Sequence, residues 1–440
     1  MLRPREIRIV EAYVRITLRK VAAAALALSS MLVLLSCDCN CKNRPGSVGS
    51  APSRAPGDPG KPGALWHFAV SGDSRNCGDV IMPAVAAGAK KDGAMFYWHL
   101  GDLRAIYDFD QDMQQIAKLK GQPLNISQYL YGAWEDFKHN QIQPFKDASI
   151  PYYLGIGNHE TIPPMTRCGF AKSFSEWLEQ DGLQDFANKP LACVKGTQTA
   201  AEIKAGEGLS DEGQKCIHQC VDCDLCAPKT YYHFAKAGID FIYLDNASDE
   251  QFDKPQMEWL EGVLTKDAAK PEISTFVVGM HKALPWSVTC DHSMNETAEG
   301  TKSGEIVYRW LLDLQSKGKK VYVVASHSHY FMSDIYKTKR WHDAGVLPGW
   351  IVGTGGAQRY PLPPGAELTK SRTYVYGYLL GTVFSDGHID FDFTEIKEKD
   401  IPPDVKLRYT EKWIGDACFD GNRKPGPTQE PAYCKDVSAQ

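Results

Sequence analysis

Five short apolar, β-branched or aromatic runs, each ending just before a side chain that can hold a cation or move a proton, constrain this chain more than any other feature. They are Trp66–Val70, Met95–Leu100, Tyr152–Ile156, Phe276–Val278 and Val321–Ala325. Each is too short for a helix and is bounded by turn residues, and segments with helical spacing, such as Val80–Lys90 and Ile306–Gln315, lie between them. That alternation predicts a layered α/β domain. Further strand candidates at Tyr231–His233, Phe241–Leu244, Trp350–Val352, Tyr374–Phe384 and Ile389–Phe393 supply enough material for two sheets.

The first 36 residues differ in kind. Arg3, Arg5, Arg8, Arg15, Arg19 and Lys20 precede an uncharged apolar run from Val21 to Leu35, which reads as a signal peptide too short to span a bilayer. The LLSC stretch resembles a bacterial lipoprotein signal, which implies Cys37 as the lipid-bearing first residue of an exported chain; plain secretion and an uncleaved anchor are the rival readings. Residues 37–63 add Pro45, Pro52, Pro56, Pro59 and Pro62 among Gly, Ser and Ala, a semi-extended tether that packs no core. The folded domain is then read as 64–400, with a polar, Cys-rich insertion at 161–229 and a Cys-bearing tail at 401–440.

Residues 1–36 carry six basic and two acidic side chains, so the chain beyond them holds 43 basic and 52 acidic groups, a net charge of −9. An acidic balance argues against a nucleic-acid partner held by its backbone. Setting Cys37 aside leaves twelve cysteines, an even number that favours disulfides in an exported chain. The same reasoning reads Cys216, Cys220, Cys223 and Cys226 as bridges rather than a zinc or iron–sulfur site.

The residues following the five runs are Asp73, Asp102, Asn158 with His159, His281, and His327 with His329. His327 and His329 stand two apart at a strand end, so both rings point to one side. Open α/β sheets bind ligands at the carboxyl ends of their strands. Two divalent ions about 4 Å apart need a shared carboxylate, further oxygen donors and imidazoles, and this inventory provides them.

The set GD at 72–73, GD at 101–102, GNHE at 157–160, a lone His281 and HSH at 327–329 resembles the calcineurin-like metallophosphoesterase family. The resemblance implies a fold of two mixed β-sheets packed face to face between helices, and one or two divalent ions (Mn, Fe, Zn or Mg). It implies that Asp73 and His329 hold a first metal, that Asp102 bridges, and that Asn158, His281 and His327 hold a second. His159 would contact the substrate phosphate and protonate the leaving oxygen.

One departure stands out. The family's first motif is Asp, any residue, His; here it is Asp73, Ser74, Arg75, and arginine has no lone pair to donate. Solvent could fill the position, Asn76 or Asp79 could, or one metal could dominate. Purple acid phosphatases, relatives within the superfamily, lack the same His and use a Tyr three residues after the bridging Asp; that place is Ala105, with Tyr107 two residues too far. Arg75 has two readings, a clamp on substrate phosphate or a structural salt bridge.

Other residues are read as structural: His99 as a core or surface histidine, Glu160 as a local cap or pair, Arg104 as a solvated loop residue, Gly353–Gly356 as a tight turn and His292 as loop filler. The expected activity is hydrolysis of phosphorylated small molecules or other phosphoesters. Phosphomonoesters come first and phosphodiesters second, with a catalytically weak cell-surface binding module as the reading from another class.

Overall fold

The computed structural model describes residues 62–178, 180, 183, 229–426 and 434. The leader, residues 37–61 of the tether and the cluster Cys216–Cys226 lie outside the described residues. Among the described residues, no helix is long and apolar enough to cross a membrane.

Two mixed sheets form the centre. The first runs β12 (Ile389–Ile396), β11 (Tyr376–Phe384), β1 (Ala64–Ser71), β2 (Ala94–His99), β3 (Tyr152–Leu154). The second runs β10 (Ser371–Arg372), β8 (Phe331–Ser333), β9 (Gly349–Val352), β7 (Lys320–Ala325), β6 (Thr275–Met280), β5 (Ile239–Leu244), β4 (Tyr232–Lys236). Strands β1, β2 and β3 are parallel in the first sheet, and β5, β6, β7 and β9 in the second, with antiparallel strands outside them. The expected α/β class with two mixed sheets flanked by helices is therefore what the chain builds.

Period-two alternation sorts the strand side chains. Phe241, Val277 and Val324 point into the space between the sheets, where Phe68, Phe96 and Phe241 pack ring against ring with centroids 5.1–5.3 Å apart. Their neighbours Ile242, Phe276, Val278, Val321 and Val323 turn outward and are covered by Leu260, Val263 and Leu264 of the helix Lys254–Ala268 and by Val307, Leu311 and Leu314 of the helix Ala298–Ser316. On the other side the helix Gly78–Lys91 buries Val80, Ile81, Val85 and Ala89 against the first sheet.

Described parts of the Cys-rich insertion and of the C-terminal tail join the larger core. Within the insertion, Phe170 of the helix Arg167–Ser173, Phe174 of the turn after it and Leu178 of the helix Ser175–Leu178 are buried together in that core. Beyond residue 400, Ile401, Val405, Tyr409, Ile414 and Cys418 are buried in the same core, and the disulfides Cys77–Cys418 and Cys290–Cys434 tie this segment down. Cys168 is also disulfide-bonded.

Candidate metal centre

The carboxyl ends of the parallel strands of both sheets meet, and backbone hydrogen bonds lace their loops. The Asp73 N–H donates to the Gly101 carbonyl at 2.9 Å and the Ser74 N–H to the Asp102 carbonyl at 3.0 Å. The Gly72 N–H crosses to the Val352 carbonyl of the second sheet at 3.1 Å, and the Ser326 N–H reaches the His281 carbonyl at 2.9 Å. The Tyr243 hydroxyl donates to the Ile156 carbonyl at 2.6 Å, fixing the loop that carries Asn158 and His159.

Crowding at this meeting point shapes the backbone. Asp73, Asp102 and His327 have φ of 58°, 61° and 66°, a left-handed conformation that costs about 1–2 kcal/mol each for residues with a Cβ. Such strain gathers where surrounding structure holds functional groups in place. A Cβ at Gly157 would lie 2.3 Å from Asp102 Oδ1, and one at Gly353 would lie 2.7 Å from Asp73 Oδ2. The run Gly353–Gly356, read as a tight turn, thus lets backbone press against the Asp73 loop.

Four side chains converge on one point. His281 Nε2 lies 3.0 Å from Asn158 Oδ1, 3.3 Å from Asp102 Oδ1 and 3.0 Å from His327 Nδ1. His281 Nδ1 sits 2.9 Å from the Leu100 carbonyl, which can only accept, so Nδ1 carries the hydrogen and Nε2 presents its lone pair inward. Asp102, His281 and His327 are a group that could hold a metal ion, their ligand atoms all lying within 4.8 Å of one another. Asp102 and His281 are fully buried, and Asp102 Oδ2 accepts no hydrogen bond. Burial opposes a charge on His281, yet Asp102 and Asp73 raise its imidazole to about 9, so the buried carboxylates favour positive charge at this point, either as a proton on Nε2 or as an ion that takes the proton's place. One carboxylate, one amide oxygen and two imidazoles suit a divalent transition metal.

The other half of the expected set is arranged differently. His329 Nε2 lies 3.1 Å from Asp73 Oδ1, and the His327 N–H donates to Asp73 Oδ2 at 2.7 Å. Arg75, only 5% exposed, turns into the site: Nη2 donates to His329 Nε2 at 3.0 Å, Nη1 to the Tyr107 hydroxyl at 2.9 Å, and Nε lies 3.7 Å from Asp102 Oδ2. Neither proposed substitute reaches the missing position. Asn76 Oδ1 accepts from the Gln358 N–H at 3.1 Å, and Asp79 Oδ1 is bound by Arg104 at 2.7 Å.

His159 lies beside Asp102. Its N–H donates to Asp102 Oδ1 at 3.0 Å, and its Nδ1 meets the Ala105 carbonyl at 2.6 Å, leaving the Nε2 lone pair 3.6 Å from Asp102 Oδ2. Burial first, and then the charge of Arg75, push this imidazole down to about 3. Glu160 is a local anchor: its carboxylate accepts from the N–H groups of Asp102, Leu103 and Gly157 at 2.9, 2.9 and 2.7 Å.

Arg104 corrects the sequence reading. It is fully buried rather than solvated, and it binds Asp79, Asp112 and Asp136. His99 is a core histidine whose Nε2 meets the Ser74 hydroxyl at 2.9 Å. His292, read as filler, places its ring, tilted, with its centroid 5.6 Å from that of His327 and 5.4 Å from that of Tyr360. Glu296 was missed. Its Oε1 lies 4.0 Å from His327 Nε2 and its Oε2 accepts from Lys282 at 2.5 Å. Despite burial, His327 and Lys282 hold its carboxyl well below the usual range. No motif surrounds Glu296, so only the fold could reveal it.

The fold and site define an α/β protein of two face-to-face mixed sheets with its polar constellation at their shared carboxyl edge. Among solved structures it is similar to a purple acid phosphatase from yellow lupin (Lupinus luteus) seeds, at 16% identity and a TM-score of 0.45, covering 83% of this chain and 57% of that one. It is similar to PhoD at 12% identity, a TM-score of 0.44 and coverage of 82% and 79%. For a dimetal phosphatase from Danio rerio the values are 10%, 0.41, 76% and 100%. These are likenesses of fold alone. The chain spans 57% of the lupin protein's length. No family model matches the chain, and no curated protein matches it in sequence.

Proposed function

We propose that the chain is a metal-dependent phosphoester hydrolase, acting first on phosphomonoesters, with a divalent ion held by Asp102, Asn158, His281 and His327. The observation that carries this reading is the convergence on His281 Nε2 of three other metal-binding atoms at 3.0–3.3 Å, next to a buried carboxylate oxygen that accepts no hydrogen bond. When bound, the ion would acidify a water molecule and neutralise charge on phosphoryl oxygens. Arg75 holds a permanent positive charge on the side of the first motif, and the Tyr107 hydroxyl fixes its plane. His159 directs Nε2 into the site and, being neutral, accepts a proton before it can give one to a leaving oxygen. A phosphate monoanion brings such a proton with it. Half-buried Asn158 and His327 lie on the side open to solvent, from which a phosphorylated small molecule would enter.

The expression of the leader as a lipid anchor at Cys37, on an exported chain held at a bacterial envelope, belongs to the same proposal. A weak binding module is the second reading, favoured by one observation: an arginine stands where the expected first motif has a ligand.

Chelator-cleaned full chain, reloaded singly with Mn, Fe, Zn or Mg, tests the proposal against p-nitrophenyl phosphate and its bis-ester. Turnover that returns with metal and is lost in His281→Ala supports it. Retained metal with no turnover of either ester supports the binding module.

A further inference from the structure

We infer that the Arg75 guanidinium stands in for the first metal ion, so that this chain builds a single-metal centre rather than a pair. The inference rests on the metal reading proposed above and concerns the other half of the constellation. His329 Nδ1 sits 2.7 Å from the Gln358 carbonyl, so that nitrogen carries the hydrogen and Nε2 offers a lone pair. That lone pair is already engaged, because Arg75 Nη2 donates to it at 3.0 Å. His329 Nε2 also lies 3.1 Å from Asp73 Oδ1. Two acceptors so close need a positive group beside them, and the guanidinium is that group.

The bridging residue tells the same story. Asp102 offers Oδ1 to the His281 side and leaves Oδ2 without a hydrogen bond. The nearest cation to Oδ2 is Arg75 Nε at 3.7 Å, itself a buried donor without a hydrogen-bond partner. Of the side chains expected around the first ion, His329 and Asp102 therefore face this guanidinium directly, and Asp73 meets it through His329.

Arg75 is not free to leave. It is 5% exposed and held by the Tyr107 hydroxyl at 2.9 Å, and its withdrawal would take the neighbouring cation from the buried Asp102 Oδ2, which has no hydrogen bond. Arginine keeps its proton under all ordinary conditions, so a divalent ion seated there would touch a like charge. The second half of the site meets no such obstacle, since the atoms around His281 Nε2 converge without an intervening cation.

Metal counting and spectroscopy test this without depending on turnover. Chelator-cleaned full chain is incubated with excess Mn(II), desalted, assayed for metal per chain and examined by electron paramagnetic resonance. The expected result is one ion per chain with the hyperfine pattern of isolated Mn(II), lost in His281→Ala. Arg75→His restores a ligand, and Arg75→Ala vacates the position, so at least one of these variants, verified as folded by circular dichroism, should take up a second ion and show an exchange-coupled pair. Two ions on the wild-type chain, or a single ion on both folded variants, would overturn the inference and leave the proposed function standing. No retained ion on the wild type would overturn both.

Discussion

Glu160 illustrates how one carboxylate shapes the candidate centre through the backbone. Its two oxygens accept three backbone N–H groups, from Asp102, Leu103 and Gly157, and thereby join the loops after β2 and β3. Glu160→Ala leaves those donors buried and unanswered, and should lower unfolding free energy by about 3 kcal/mol in urea titration, with weaker metal retention. Glu160→Gln keeps acceptor oxygen and should lose less; equal losses would mean that side-chain volume, not hydrogen bonding, sets the loop. His159→Ala should slow an alkyl phosphate, whose leaving group has a high pKa, at least tenfold more than p-nitrophenyl phosphate in parallel kcat/KM measurements. Equal loss on both substrates would assign His159 to phosphate binding alone. The residues around His281 were legible in the sequence because each is a metal-binding type standing just past a strand end. Arg104 was not, since its partners Asp79, Asp112 and Asp136 come from three separate helices and local sequence shows only a charged loop residue. Arg75 was legible as a departure from pattern, while its contact with His329, 254 positions away, was not.

At the scale of elements, Arg104 pins three helices behind the site. Asp79 begins Gly78–Lys91, Asp112 begins Gln111–Leu119, and Asp136 ends Ile126–Phe137. One guanidinium among three carboxylates leaves negative charge in excess, and burial pushes Asp79 up to about 8, with Asp136 adding to the shift and Arg104 opposing it. The raised folded value means that the folded chain binds a proton more tightly than the unfolded chain, whose Asp titrates near 3.8. The contribution is full below that lower value and is lost as pH rises through about 8. Denaturant midpoints of the metal-free chain should therefore fall between pH 5 and pH 8.5 in part because of this group, and Asp79→Asn should flatten the slope; an unchanged slope would place the proton elsewhere. Element boundaries followed the alternation where strands were long enough to show it. β8 and β10 span three and two residues, too few for a period, and went unread. The helix Ala298–Ser316 begins eight residues before the segment read from its apolar spacing, because its first turns are polar and are started by the Thr297 side chain, which accepts the Gly300 N–H.

For the molecule as a whole, the Cys77–Cys418 disulfide joins residues 341 positions apart, the first at the start of the helix Gly78–Lys91 and the second in the C-terminal segment buried beneath it. Sequence could favour disulfides from export and an even count, but pairing depends on which distant segments the fold brings within reach. Closing so long a loop restricts the unfolded chain, so Cys418→Ser should lower the unfolding free energy by about 2–5 kcal/mol. The proposed metal centre should respond differently. Cys77 lies four residues after Asp73, yet that loop has ties of its own: the Asp73 N–H on the Gly101 carbonyl at 2.9 Å, the Ser74 N–H on the Asp102 carbonyl at 3.0 Å and the Ala357 N–H on the Asp73 carbonyl at 2.8 Å. These bonds connect the Asp73 loop to both neighbouring loops without passing through sulfur. Folded Cys418→Ser should thus keep the metal content of the parent at 25 °C while melting at a lower temperature, read by metal assay and calorimetry on the same samples. Metal loss from a variant that is still folded would show instead that the C-terminal segment, through Cys77, holds the first motif in position.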